Sequence, residues 1–145
     1  MTHNEPLGVI LLLVTMFLWG LTPILEKLGL REVEPLTGVL IRSLAITVVL
    51  LVIFIVTGRI GEVVRVPVKN ILLFSASGIL AGLLGMWTYL YVLKTGVTTK
   101  IVPIAAAYPL VTAILGILIL REGVTLQRMI GIVLTIAGIA LINRS

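Results

Sequence analysis

The sequence predicts an all-α membrane protein with five transmembrane helices. Hydrophobic residues make up 59% of the 145-residue chain, charged residues make up 12%, and the mean hydropathy is +1.25. Soluble domains have about 45–50% apolar and about 25% charged residues, so a soluble fold and a disordered chain are both excluded. A span needs about 20 apolar residues, so this length accommodates five helices and leaves no room for a soluble catalytic domain.

Five apolar runs supply the helices, and short connections separate them. The connections carry charge together with Pro, Gly or Thr, as expected of turns at a membrane interface. Backbone N–H and C=O groups in lipid must form their hydrogen bonds within the protein, so a span is either a helix or a strand of a closed barrel. The alternation of apolar and polar residues that marks barrel strands is not seen, so we expect helices. We expect one domain over residues 1–145, with spans at about 7–30, 36–56, 71–93, 101–120 and 126–142.

The positive charges divide evenly between the two sides of the membrane. The formal net charge of +5 comes from 11 Lys and Arg residues spread along the chain, so no basic patch indicates nucleic acid. One side has Arg59, Arg65, Lys69, Arg121 and Arg128, and the other has Lys27, Arg31, Lys94, Lys100 and Arg144, while the eleventh, Arg42, lies inside a span. The positive-inside rule therefore favours neither orientation. Either loops, lipids or packing fix one orientation, or both orientations insert and two inverted copies pair.

Polar side chains mark one face of the first helix. Thr15, Trp19, Thr22 and Glu26 follow a +4, +3, +4 spacing, which places them on a shared face. Pro23 removes a backbone donor and frees the carbonyl of Trp19, which predicts a kink. A polar, kinked face is typical of a cavity or partner surface. A packing seam with an interfacial tryptophan is the alternative.

The fourth run contains two prolines, Pro103 and Pro109, which weaken its hydrogen-bond ladder. Irregular backbone is expected there, and it is tolerated only where it is buried in protein or faces water. Tyr108 and Thr112 lie four residues apart and are the polar candidates of this helix.

Small residues at helical spacing predict packing faces on the third and fifth helices. On the third helix Ser75, Gly78, Gly82, Gly85 and Tyr89 follow +3, +4, +3, +4, and they include a GxxxG pair. On the fifth helix the members are Gly131, Thr135 and Gly138. We expect these faces to serve helix packing or dimer contact. Trp87 and Tyr91 lie on another face, either as interfacial anchors or as cavity walls.

Three charged residues lie within or at the ends of the first two helices. Glu26 and Lys27 are in the last turns of the first helix, and Arg42 is about two turns inside the second. The short connection lets them approach at similar depth. Glu26 and Arg42 form a structural ion pair in one interpretation. In the other they contact a solute or ion, and Lys27 with Arg42 suits a carboxylate.

The sequence contains no constellation that indicates catalysis. Cysteine is absent, His3 is the only histidine, and no nucleophile triad, carboxylate pair, phosphate loop or metal-ligand spacing is present. We therefore expect neither an enzyme nor a bound cofactor or metal. Glu122 is expected to cap or pair at the start of the fifth helix.

The order of several motifs resembles a single EamA-type repeat of the drug/metabolite transporter superfamily, from Leu7 to about Ile142. The motifs are Phe17–Gly20, Lys27, Glu34–Thr37 and Arg42 in the first half, and Ala105–Ala113, Arg121–Thr125 and Gly131–Gly138 in the second. The resemblance implies one half of a ten-helix, inverted-repeat fold in which helices one, three and four of each repeat line a central cavity. The related small multidrug resistance proteins use a glutamate midway along the first helix, and residues 9–23 here contain no acid.

The resemblance implies a secondary transporter or exporter of a small organic solute: a metabolite, an amino acid or a drug. It would work by alternating access in the lipid bilayer as an inverted, dual-topology homodimer, in the cell (inner) membrane of a prokaryote. Thr15, Trp19, Thr22, Tyr108 and Thr112 would line the substrate path, with Glu26, Lys27 and Arg42 near its mouth. Two alternatives stay open: a non-transporting membrane subunit, and a half-transporter that pairs with a paralogue.

Overall fold

The computed structural model describes residues 5–123 and 125–144, and within these ranges the regular structure is entirely helical. Val124, which belongs to one of the motifs quoted above, lies outside the described residues. Five helical stretches are long and apolar enough to cross a membrane, which confirms the predicted fold class. They are Leu7–Gly29, Pro35–Val56, Val68–Thr95, Thr98–Leu120 and Leu126–Arg144.

The chain divides into two compact units, Met1–Thr95 and Gly96–Ser145. The helices of the first unit are α1 (Glu5–Gly29), α2 (Pro35–Val56), α3 (Ile60–Val64), α4 (Val68–Ser77) and α5 (Met86–Thr95), with a π-helical segment (Gly78–Gly85) between the last two. The helices of the second unit are α6 (Thr98–Ala105), α7 (Tyr108–Leu120) and α8 (Leu126–Arg144).

Local sequence signals fix both ends of α2. The Glu34 carboxylate accepts a hydrogen bond from the Leu36 amide at 3.3 Å, and Pro35 occupies the first turn, where its missing donor costs nothing. At the other end the Thr57 hydroxyl donates to the Ile53 carbonyl at 2.7 Å, and Gly58 follows with φ +67°. Glycine adopts this left-handed conformation without a steric penalty, so the chain turns there.

The core of the first unit lies where the carboxyl ends of α1 and α5 meet the start of α2. Leu30, Val39, Leu90 and Leu93 are buried together, and Met86 and Tyr89 pack against them. Other large apolar side chains along α1 and α2 are mostly exposed, as expected of surfaces that face lipid. The packed end of this unit is therefore the part that side-chain contacts hold in place.

The third span is not a uniform α-helix, and this corrects the geometry assumed for its glycine face. Across the π-helical segment the amide of Met86 donates to the carbonyl of Ala81, five residues earlier. A π-helix has more residues per turn than an α-helix, so a +3, +4 spacing does not keep Gly78, Gly82 and Gly85 on one α-helical face. The packing role of these glycines stays a prediction.

The fourth span is broken between α6 and α7, as its prolines predict. The Ala106 amide closes the last turn of α6 on the Val102 carbonyl at 2.8 Å, and in the first turn of α7 the Leu110 amide donates to the Ala107 carbonyl at 3.0 Å. Pro109 lies in the first turn of α7, a position that tolerates the missing N–H. The break therefore divides one membrane span into two shorter helices.

Candidate functional site

The hydroxyls of Thr15 and Thr22 on α1 bond to their own helix. They donate to the carbonyls of Leu11 and Leu18 at 2.9 Å and 3.0 Å. Each hydroxyl oxygen keeps acceptor capacity for a solute or a neighbouring chain. Trp19, which lies between them, is 64% exposed. This arrangement is compatible with a path-lining face, and that role stays a prediction.

Glu26 and Arg42 both border one groove of about 320 Å³ in the first unit. The Glu26 Oε1 atom is buried and has no hydrogen-bond partner. Their charges interact, but an ion pair within 4.0 Å occurs in the described residues only between Arg59 and Glu62. The structural ion pair between Glu26 and Arg42 that one interpretation of the sequence expected is therefore not formed, although the Arg42 charge still acts on Glu26.

Leu30, Ile41 and Leu90 supply aliphatic walls to this groove, and Gly29 and Gly38 also line it. A Cβ added at Gly38 would lie 3.6 Å from the Leu90 side chain, an ordinary van der Waals contact, so α2 packs directly beside α5 here. The result is an apolar groove bordered by one acidic and one basic residue. We name it the Glu26–Arg42 groove.

The Lys27 ammonium binds backbone carbonyls at the end of α5, whereas one interpretation of the sequence had it contact a solute. Its Nζ atom donates to the Leu93 carbonyl at 2.6 Å and to the Lys94 carbonyl at 3.0 Å, so it caps the carboxyl end of α5. Lys94 in turn donates to the Val33 carbonyl at 3.0 Å in the connection between α1 and α2. We name these contacts the lysine clasp. It was missed in the sequence because its partners lie more than 60 residues apart.

Tyr108 and Thr112 lie on α7 in the second unit. The Thr112 hydroxyl donates to the Tyr108 carbonyl at 3.2 Å, and the Tyr108 side chain is 56% exposed. Tyr108 follows directly on the break in the fourth span, and Ala107 provides no side-chain cap for α7. The structure thus places an exposed aromatic hydroxyl at an uncapped helix start. The substrate path through both units remains a prediction.

Two further predicted features occur on α5 and α8. Trp87 and Tyr91 share a cavity of about 340 Å³ with Thr88 and Val92, which confirms that the two aromatics lie on one face.

On α8 a Cβ added at Gly131 or Gly138 would meet nothing within 4 Å, so this face has open space beside it. The Thr135 hydroxyl donates to the Gly131 carbonyl at 2.9 Å.

Thr125, rather than Glu122, caps α8. Its hydroxyl accepts a hydrogen bond from the Arg128 amide at 3.3 Å, which is the usual geometry of an N-cap threonine. Glu122 instead folds back onto α7, where a Cβ added at Gly116 would lie 3.4 Å from its Oε2 atom. The cap expected of Glu122 is thus supplied by Thr125, and Arg121, just before Glu122, adopts φ 55°.

The connection between the second and third spans contains the Arg59–Glu62 ion pair. Arg59 Nη2 and Glu62 Oε2 are 2.9 Å apart, and the guanidinium lies 5.7 Å from the centroid of the Phe54 ring. The hydrogen bond from Arg59 lowers the pKa of the Glu62 carboxyl and raises that of the guanidinium. Both side chains are exposed, so this pair contributes little to stability.

The described residues include no group of three or more His, Cys, Asp or Glu side chains that could hold a metal ion. Known proteins similar to this chain come from Methanocaldococcus jannaschii and from Sinorhizobium sp.. No solved structure matches the chain. A protein of Methanocaldococcus jannaschii, described as uncharacterized protein MJ1333.1, is 36% identical over 77 residues, which is 53% of this chain and 56% of that protein.

A second relative spans nearly the whole chain. It comes from Sinorhizobium sp., is described as an uncharacterized transporter in the cobO 3' region, and is 27% identical over 124 residues. The match takes in 85% of this chain and 86% of the relative, so the two are of nearly equal length. The model of the EamA-like transporter family matches residues 6–144. The chain therefore belongs to the EamA-like transporter family, as the order of its motifs predicted.

Proposed function

We propose that this membrane transporter moves a small organic solute by alternating access and works as an inverted homodimer. Thr15, Trp19 and Thr22 of α1 and Tyr108 and Thr112 of α7 line the path. The organisms of the two relatives support a prokaryotic cell membrane as its location. Transport needs neither a cofactor nor a resident metal in this proposal.

The break in the fourth span is the observation that carries the proposal. Non-helical backbone at membrane depth is tolerated only where it is buried in protein or lines a water-filled cavity. The span Thr98–Leu120 is interrupted after Ala105, and α7 begins at Tyr108 without a side-chain cap. Transporters build solute sites from such interrupted helices, because the free helix ends present polar groups to the solute.

Three observations support the inverted dimer. The Lys and Arg residues divide five to five between the membrane faces, so the positive-inside rule allows both orientations. Open space adjoins Gly78, Gly82, Gly131 and Gly138, where a second copy can approach closely. The Sinorhizobium relative is of nearly equal length and is described as a transporter. Two inverted copies would together supply the second half of a central cavity.

Flux measurements test the path. Purified protein in liposomes would be supplied with labelled leucine, succinate and tetraphenylphosphonium, which represent a zwitterion, an anion and a cation. Trp19→Ala and Tyr108→Ala should lower flux at least tenfold, an effect of about 1.4 kcal/mol. Phe17→Ala and Leu118→Ala are the matched controls, because both residues are about 70% exposed on the same two helices. Unchanged flux in both path variants would contradict the site assignment.

A reporter at the carboxyl terminus tests the inverted dimer. Signal is expected from both sides of the membrane. Arg65→Gln and Arg31→Gln, which remove one charge from opposite faces, should bias the populations in opposite directions. Signal from one side in all variants rejects the inverted homodimer. A half-transporter or a non-transporting subunit would then be indicated, and flux by the purified protein alone distinguishes these two.

A further inference from the structure

The connection between the second and third spans is held at the membrane surface by both of its ends. The second span ends at Val56 and the third begins at Val68, so residues 57–67 cannot move far from the interface. This connection is folded, because the Arg59 amide donates to the Phe54 carbonyl at 2.9 Å and the helix α3 follows directly. Helix α3 is therefore an ordered element at the depth where lipid headgroups begin.

The apolar side chains of α3 lie on one face of the helix. Val63 and Val64 follow Ile60 by three and four residues, which is the spacing of a shared helix face. The described part of the chain leaves this face exposed, and Val64 is 84% exposed. Gly61 lies two residues before Val63, on the opposite side, where a Cβ would meet nothing within 4 Å. An apolar face at the interface is suited to burial among lipid acyl chains.

Two cations beside α3 have no acidic partner in the described part of the chain. Arg65 follows the last residue of α3, and Lys69 lies in the first turn of α4. Both are exposed, and neither forms an ion pair or a side-chain hydrogen bond with a described residue. Arg59 differs, since its guanidinium is paired with Glu62. The helix dipole opposes a positive charge in a first turn, so the stability of α4 does not account for Lys69.

We propose that α3 docks on the membrane with Ile60, Val63 and Val64 among the acyl chains, while Arg65 and Lys69 bind the phosphate of an anionic phospholipid. The two observations indicate the same partner, because a lipid surface offers both acyl chains and anionic phosphates at the depth where the spans hold this connection. A soluble acidic protein would supply the charge but would have to displace lipid from the apolar face. The inference goes beyond the proposed function and does not depend on solute transport.

Site-directed labelling measures the depth of α3. The chain has no cysteine, so Val63→Cys and Gly61→Cys each accept a single fluorophore. Nanodiscs of phosphatidylcholine and phosphatidylglycerol, mixed three to one, expose both membrane faces, so the result does not depend on orientation. A nitroxide near the top of the lipid acyl chain should quench the label at Val63, and aqueous iodide should quench the matched label at Gly61. Equal quenching of both labels by iodide would overturn the docking, and it is the result that a soluble protein partner predicts.

The label at Val63 also measures the preference for an anionic headgroup. The nitroxide is carried by phosphatidylglycerol in one sample and by phosphatidylcholine in the other, so the ratio of quenching gives the local enrichment. One cation near an anionic surface contributes about fivefold, so the enrichment should be at least about fivefold. It should fall in Arg65→Gln and in Lys69→Gln and disappear in the double variant. Arg31→Gln is the matched control, because it removes an exposed cation from the connection between α1 and α2 and should leave the enrichment unchanged.

A salt titration of the labelled protein tests the headgroup site without any change to its cations. Dissolved salt screens exposed charges, so high salt should abolish the enrichment of phosphatidylglycerol while the label at Val63 stays shielded from iodide. Equal quenching by the two lipids at low salt, or an enrichment that high salt does not reduce, would overturn the headgroup site.

Discussion

Replacing Lys27 by methionine should destabilise the first unit, because the lysine clasp ties α1 to the carboxyl end of α5. Methionine keeps the apolar stem and removes the two donated bonds, at 2.6 Å and 3.0 Å. A hydrogen bond from a charged group contributes about 1.5–3 kcal/mol. The bond to Leu93 is partly buried and the bond to Lys94 is exposed, so water replaces much of the second. We expect a loss of about 2 kcal/mol, a factor of roughly thirty in the folding equilibrium.

Unfolding in mixed detergent micelles measures this loss. Trp19 on α1 and Trp87 on α5 report on the two helices that Lys27 joins. Lys69→Met is the control, because Lys69 is an exposed cation in the first turn of α4, where a positive charge brings no benefit. Lys27→Arg should recover part of the loss, since it restores a charged donor. A loss below about 0.5 kcal/mol, the usual range of surface substitutions, would refute the capping role.

Four other changes have definite expected outcomes. Leu93→Ala leaves a cavity at a fully buried position and should lower the free energy of unfolding by about 1–3 kcal/mol in the same micelle titration. Only the packing contacts contribute to this loss, because burial away from lipid brings no hydrophobic gain. Pro109→Ala restores the backbone donor that could bond to the Ala105 carbonyl across the break, and it should lower liposome flux while the thermal midpoint holds or rises; unchanged flux would show that the break serves no transport role. Arg59→Gln should raise the pKa of the Glu62 carboxyl toward its ordinary value in a carbon NMR titration. In the wild type the Arg59–Glu62 ion pair gives a small stabilisation at pH values above the ordinary pKa of a glutamate carboxyl. This stabilisation is lost as the pH falls through the lowered pKa of Glu62. Arg121→Gly removes a side chain at φ 55° and should raise stability by up to about 1 kcal/mol, measured as a higher unfolding midpoint.

The elements that hydropathy and proline chemistry dictate could be predicted from the sequence. The spans follow from apolar runs alone, and the break near Ala106 follows from two prolines in one run. Glu26 and Arg42 could be placed at a common depth, because a short connection joins their helices. Whether they pair could not be predicted, since a separation of a few ångströms depends on how α5 packs beside them.

The features that could not be predicted from the sequence depend on tertiary contacts or on the choice between α-helical and π-helical winding. Lys27 meets the Leu93 carbonyl 66 residues away, and a carbonyl carries no sequence signal. The small residues from Gly78 to Gly85 allow α-helical and π-helical winding alike, so their spacing could not reveal which one forms. The expectation that Glu122 would cap or pair at the start of the fifth helix missed Thr125, whose hydroxyl accepts from the Arg128 amide.

The π-helical segment makes the third span tolerant of changes in chain length. Each amide there reaches one residue further back than in an α-helix, so deletion of one residue between Gly78 and Gly85 allows α-helical bonding to resume without a broken turn. The same deletion in a regular α-helix would rotate everything that follows by about 100°, the angle per residue. Because each π-helical turn already holds more residues than an α-helical turn, the loss of one residue is largely absorbed there, and Trp87 and Tyr91 would stay close to their present face. A single-residue deletion here would therefore disturb the span less than the same deletion elsewhere in it.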